Sequence, residues 1–205
     1  IDRTFLGFEG VLSKNKRTQL RKAANKYTSE HFYIELQEKF IEHGFKDLRF
    51  NLVEAKDSDQ DPRIIEIYYP NVIQSLGYVQ PRIQVEIGCR SLIEPYSLRS
   101  VVSFVDDLYA DNDFSVLPIE IPSVNPERTF LEKLFLLHEE FHKPLEKIRV
   151  DRLSRHLYDV YQLSKTEFLK AIENSDLYKT IVEHRFNFTK VSGIDYNVSI
   201  RQIPL

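Results

Sequence analysis

A change of hydrophobic period at Ile121-Pro122-Ser123-Val124-Asn125-Pro126 constrains this chain more than any other feature. Upstream, short β-rich segments are separated by turn residues. Downstream, apolar residues recur at helical spacing, and the pattern predicts helices over 127–141, 151–163, 166–174 and 176–188. A chain that changes period in this way is expected to be α+β. The predicted organisation is a sheet with one long helix in residues 1–122, then a helical domain in residues 123–205.

Within the first part, residues 12–43 read as helical. Leu20, Ala23, Ala24 and Tyr27 share one face, Phe32, Leu36 and Phe40 continue it, and Gly44 is a plausible stop. The opposite face carries Lys14, Lys16, Arg17, Arg21, Lys22 and Lys26. It is either a solvated surface or a phosphate-contact surface. Residues 48–55 and 63–69 read as a hairpin around an Asp/Ser/Gln/Pro turn. A third strand is predicted in 78–90, either at an edge or starting just after Pro81. Residues 98–108 read as a short helix and 116–121 as a further strand.

Composition narrows the class. With 205 residues, 42% hydrophobic, the chain can bury a core, and a net charge of -3 leaves nucleic-acid binding to local patches. Cys89 is the only cysteine, so no internal disulfide forms, and a reducing, cytoplasmic setting is expected. Its default role is a buried, inert thiol. No apolar run has the length of a membrane span and no secretory leader is visible, so no membrane partner is expected. The chain opens Ile1-Asp2 and contains no methionine. It is therefore expected to continue upstream, or to lack its methionines, which would shift some spacings by one residue.

Three segments carry groups suited to chemistry. In Arg82-Ile83-Gln84-Val85-Glu86-Ile87, alternation places Ile83, Val85 and Ile87 on one face and Arg82, Gln84 and Glu86 on the other. Glu86 is either solvated or a metal-binding carboxylate of the kind that holds Mg²⁺ in nucleotidyl transfer. In Pro126-Glu127-Arg128-Thr129-Phe130-Leu131-Glu132-Lys133-Leu134, Pro126 suits a helix start. Thr129, Glu132 and Lys133 then fall within a turn of one another, with Lys133 a point charge for a triphosphate. In the third segment, Arg152, Arg155, His156 and Asp159 are spaced i, i+3, i+4, i+7. They form either a salt-bridge ladder or a site presenting Asp159.

These residues resemble a known family. Thr129-Phe130-Leu131-Glu132-Lys133-Leu134 with His138, then Arg155-His156-Leu157-Tyr158-Asp159-Val160-Tyr161, is similar to the AbiEii/AbiGii toxin family of bacterial nucleotidyltransferases. That family shows a T-x-x-E-K helix followed by R-D-x-x-D, with Gly-Gly-Thr and S-x-D-I-D motifs upstream. Ile1-Asp2 matches the end of the latter, and Glu86 falls where the family has a strand acid. The likeness runs from Asp2 to about Leu163. It departs at His156, which stands where the first aspartate of R-D-x-x-D belongs. It also lacks the upstream motifs, without which the chain would be inactive even if its parent is an enzyme.

The resemblance implies a polymerase-β-like nucleotidyltransferase core with a mixed sheet, followed by a helical C-terminal domain. It implies a toxin of a toxin–antitoxin or phage abortive-infection system, moving a nucleotide from an NTP to an acceptor such as tRNA, with Mg²⁺ and a cognate antitoxin. By position, Asp2 and Glu86 would hold metal, Lys133 would bind the triphosphate and Asp159 would support it, with Thr129, Glu132 and Arg155 beside the nucleotide. Lys143, Lys147, Arg149 and Arg152 would then contact acceptor phosphates.

Two other readings compete. The missing first aspartate fits a nucleotide- or nucleic-acid-binding module without catalysis. His138-Glu139-Glu140-Phe141-His142 matches H-E-x-x-H, the pattern of a zinc hydrolase in which Glu139 activates water. Lys143-Pro144 ends that helix at once, and only Asp151 or Asp159 offers a third ligand.

Overall fold

A computed structural model describes residues 1–72, 77, 80–90, 95–149, 153–189 and 191–196. The chain divides into two compact units, Ile1–Ser91 and Leu92–Leu205. The division therefore falls upstream of 122, and the segment between goes with the helices.

The first unit opens on a helical rod. Ser13 caps α1 (Lys14–Tyr27) by accepting from the Lys16 amide at 3.3 Å. A π-helical turn, Thr28–Phe32, carries the rod into α2 (Tyr33–Glu42), so the predicted long helix is present in one run. Leu20, Ala24 and Thr28 are buried at four-residue intervals, which defines its inward stripe. Gly44, at φ +89°, ends it, and the Phe45 amide reaches back to the Phe40 carbonyl. On the opposite face, Lys14, Lys16, Lys22 and Lys26 are solvated, while Arg21 turns to Asp59, with its closest nitrogen at 2.6 Å.

Strands β1 (Arg49–Leu52), β2 (Arg63–Tyr68) and β3 (Arg82–Ile87) form an antiparallel sheet in that order. The predicted hairpin is its first pair, and β3 begins at the residue after Pro81. Register places Phe50, Leu52, Ile65, Ile67, Ile83 and Val85 on one face, where Phe50 packs edge-on against Phe40 of α2 at 5.6 Å. Ile65 and Ile67 in the central strand are fully buried, whereas Ile83 on the edge is half exposed.

In the second unit β4 (Tyr96–Val101) pairs antiparallel with β5 (Ile119–Val124). The expected helix over 98–108 is corrected here. Its first half is β4, and only Phe104–Leu108 (α3) is helical, capped by Ser103. Leu98 and Val101 are spaced i, i+3, which suits a helix, so the pairing of these residues with β5 overrode the local pattern. The strand predicted at 116–121 starts later, at Ile119. All strand pairings among the described residues are antiparallel, so the mixed sheet expected from the resemblance is not among them.

Helix α4 (Pro126–Phe141) has Pro126 in its first turn, where the missing N–H costs nothing. It packs on α5 (Leu153–Ser164), on a 3-10 stretch at Glu167–Glu173 that replaces the predicted helix there, and on α6 (Ser175–Phe188). Their shared core is Phe130, Leu131, Phe135, Ala171 and Ile181, flanked by Val160, Leu163 and Tyr178. Burying the Phe, Leu and Ile side chains among these stabilises by roughly 1.5–3 kcal/mol each.

Candidate functional site

The core face of α4 leaves Thr129, Glu132 and Lys133 half-buried along one side. The start of this helix is held by Asn125, whose side-chain oxygen accepts from Ser97 Oγ at 2.7 Å and whose amide donates to the Pro95 carbonyl at 3.1 Å. Thr129 Oγ1 donates back to the Asn125 carbonyl at 3.3 Å, so its hydroxyl is engaged in the first turn. Arg128 is almost fully buried, and its Nε donates to Glu132 Oε1 at 2.9 Å. Glu132 is thereby oriented by a residue to which sequence reasoning assigned no role. The i, i+4 spacing of Arg128 and Glu132 was the available signal.

One turn on, Lys133 Nζ donates to Asp159 Oδ2 at 2.7 Å, joining α4 to α5. The Lys133 side chain is 24% exposed and that of Asp159 41%. The pair is half-wet and able to exchange partners. The lysine hydrogen bond holds the Asp159 carboxyl below its ordinary range. His156, one turn before Asp159, is half-buried, and its Nδ1 is buried without a hydrogen-bond partner. Desolvation, reinforced by the charges of Lys133 and Arg155, pushes its imidazole below the usual histidine value. Arg155 is exposed at the same end of α5.

Farther along α4 the charges are locked. Glu139 is buried and takes two bonds from Arg185, the Nε one at 2.8 Å, and a third from the Tyr196 hydroxyl at 2.9 Å. Glu140, also buried, accepts from Lys143 Nζ at 2.7 Å and from the Arg149 backbone amide at 2.8 Å and its guanidinium. These bonds hold its carboxyl down at about 2. Lys143 and Arg149, expected on an acceptor-binding surface, are thus turned to Glu140. Lys147 is exposed, and Arg152 lies outside the described residues.

The zinc arrangement is not built by this geometry. Glu139, its water-activating base, is sequestered by Arg185. The His142 Nδ1 lies 2.8 Å from the His138 carbonyl oxygen and serves as a donor to it. Among the described residues, no three His, Cys, Asp or Glu side chains gather in a way that could hold a metal.

Asp2 and Glu86 belong to the first unit. The Ile1 nitrogen donates to the Gly88 carbonyl at 2.5 Å, beside the end of β3. Asp2 Oδ1 accepts from the Thr4 amide and hydroxyl, each at 2.8 Å, and these bonds lower its carboxyl below the ordinary range. Glu86 is exposed and accepts from Gln84 at 2.7 Å. The two carboxylates thus each bond within their own segment.

Glu66, one strand over on the same face as Glu86, was missed by sequence reasoning. It is nearly buried and collects Asn51 Nδ2 at 2.9 Å, the Tyr68 hydroxyl at 2.8 Å and Arg82. Its signal was a lone acid between Ile65 and Ile67 in the central strand. Asp61 likewise holds the Cys89 amide at 3.0 Å and Arg90 Nε at 2.7 Å, close under Gly88. Burial raises the Cys89 thiol to about 11, which keeps it inert at neutral pH.

The chain is thus α+β and pairs the lysine of its T-x-x-E-K segment with an aspartate of α5. The family model described as "Nucleotidyl transferase AbiEii toxin, Type IV TA system" matches residues 1–202, and the chain belongs to that family. No curated protein and no solved structure matches it. The family is one of nucleotidyltransferase toxins of Type IV toxin–antitoxin systems, which implies a nucleotide substrate and a cognate antitoxin. Among the described residues, no helix is long and apolar enough to cross a membrane.

Proposed function

We propose that this chain serves as a toxin that transfers a nucleotide from an NTP to an acceptor, tRNA being the acceptor the family resemblance favours. The observation that carries the reading is the 2.7 Å Lys133–Asp159 pair, which brings together the two segments that resemble the family's signature helices. In this reading Asp159 holds Lys133 extended until a triphosphate competes for it. Phosphoryl and nucleotidyl transfer is mostly positioning and charge neutralisation, so a lysine released from an aspartate onto phosphate oxygens supplies what the chemistry needs. Thr129, Glu132 and Arg155 flank the nucleotide, and Arg128 keeps Glu132 in place.

Asp2 and Glu86 are the proposed Mg²⁺ ligands. Mg²⁺ takes one or two protein carboxylates and completes its shell with water and substrate phosphates, so two acids suit it chemically. When bound, the metal neutralises charge on the phosphates. A polymerase-β-like core and cytoplasmic action in phage defence belong to the same proposal. Lys147 and Arg152 would supply the acceptor-side positive charge, since Lys143 and Arg149 are already committed to Glu140.

The test is incubation of the full-length protein with labelled NTPs, Mg²⁺ and total tRNA. Label transfer that Lys133→Ala and Glu86→Gln abolish is the expected result. Absence of both transfer and NTP binding would reject the reading. A binding module without catalysis is the second reading, favoured by His156 in place of the family's first aspartate. Saturable NTP binding with no turnover would select it.

A further inference from the structure

The Lys133–Asp159 pair contains an unresolved obligation. If Lys133 leaves for a phosphate, Asp159 loses the one hydrogen-bonded partner it has among the described residues and keeps only its contact with water. The group at hand to replace it is His156, one turn away at i, i+3 on α5, with its Nδ1 buried and unbonded. A buried, unsatisfied ring nitrogen carries a desolvation cost, which a state that gives it a partner relieves.

We propose that His156 is a positioning residue that takes up a proton when a nucleoside triphosphate binds Lys133, and becomes the counter-ion of Asp159 in that state. This rests on the nucleotide reading above and adds to it a residue and a proton. The charged groups acting on the imidazole are Lys133 from α4, Arg149 from the segment before α5, and Arg155 and Asp159 on α5 itself. The three cations suppress protonation and Asp159 favours it. Arg149 is already bonded to Glu140, so a triphosphate acts chiefly on Lys133 and Arg155. Its negative charge cancels those two, and the carboxylate released by Lys133 then faces the ring. Both changes raise proton affinity. The proton comes from solvent, no covalent bond changes, and the bound state carries one proton more than the free state.

By linkage, a group whose pKa rises on binding makes binding tighten as pH falls through the bound-state value. Each unit of displacement is worth up to about tenfold in affinity.

The experiment measures Kd for each of the four NTPs, and for inorganic tripolyphosphate, between pH 8.5 and pH 5.5 on the full chain. Wild type is compared with His156→Gln, and the His156 ring is followed by NMR in the wild type. Titration of the phosphates themselves is common to both proteins and cancels in the ratio. The expected result is an affinity gain of several-fold toward low pH in the wild type relative to His156→Gln, with the His156 titration displaced upward by the ligand. The NMR measurement stands even if the variant fails to fold. Equal pH dependence in both proteins, or an undisplaced His156 titration with ligand bound, overturns the His156 role and leaves the nucleotide reading intact. No binding of any NTP or of tripolyphosphate at any pH overturns the nucleotide reading, and this proposal with it.

Discussion

Lys133 and Glu140 lie about two turns apart on α4, yet their ion pairs are built in opposite ways. Among the described residues Lys133 has one hydrogen-bonded partner, Asp159, and both groups keep contact with water. Glu140 and its neighbour Glu139 are nearly inaccessible and together take bonds from Lys143, Arg149, Arg185 and Tyr196. A half-exposed pair contributes little to stability and gives up its partner at little cost. A buried carboxylate held by several donors is expensive to disturb, because removing one member strands the others. One end of the helix is thus suited to ligand exchange and the other anchors α6 and the segment before α5.

The largest expected effect lies at the anchor. Glu139→Ala leaves the buried Arg185 guanidinium and the Tyr196 hydroxyl unpaired, and should destabilise the fold by about 3 kcal/mol, read as a lower urea midpoint. A shift of a few tenths would erase the contrast between the two clusters. Lys133→Ala should do the reverse. Nucleotide transfer falls about a hundredfold or more while the urea midpoint moves by less than about 1 kcal/mol of stability.

Acid sharpens the same comparison. Glu140 titrates at about 2 in the fold and near its ordinary 4.5 when unfolded. Its stabilising contribution is therefore complete above the unfolded value and is lost as pH falls from there toward about 2. Glu140→Gln should flatten the stability profile across that acid window and leave its shape near neutrality unchanged, as urea titrations at stepped pH would show. The smallest effect is expected at the exposed Arg155. Arg155→Ala should weaken NTP binding a few-fold at low salt, and the difference should shrink at high salt, because an exposed charge is screened.

Period and punctuation made most of the fold legible. The helical rod from Lys14 to Glu42, the β1–β2 hairpin, β3 beginning after Pro81, and helices α4, α5 and α6 all follow from local pattern, since spacing of apolar residues is what each element buries. Residues 98–101 were misread because the i, i+3 spacing of Leu98 and Val101 suits a helix, and pairing with Ile119–Val124 chose the strand. The motif residues Thr129, Glu132, Lys133 and Asp159 were also legible, because their types and spacing are local.

Only the tertiary structure decided what each charge does. Sequence placed Lys143 and Arg149 in a basic row, but Glu140 turns both toward itself. It offered Glu139 as a zinc-site base, while Arg185, 46 residues away, claims it. It gave no role to Glu66 or Arg128, which are buried donor–acceptor hubs. The physical reason is common to all of these. A charge can be assigned from sequence, but its partner is the group that the packing of apolar faces brings within 3 Å, and burial then sets how tightly the pair is held.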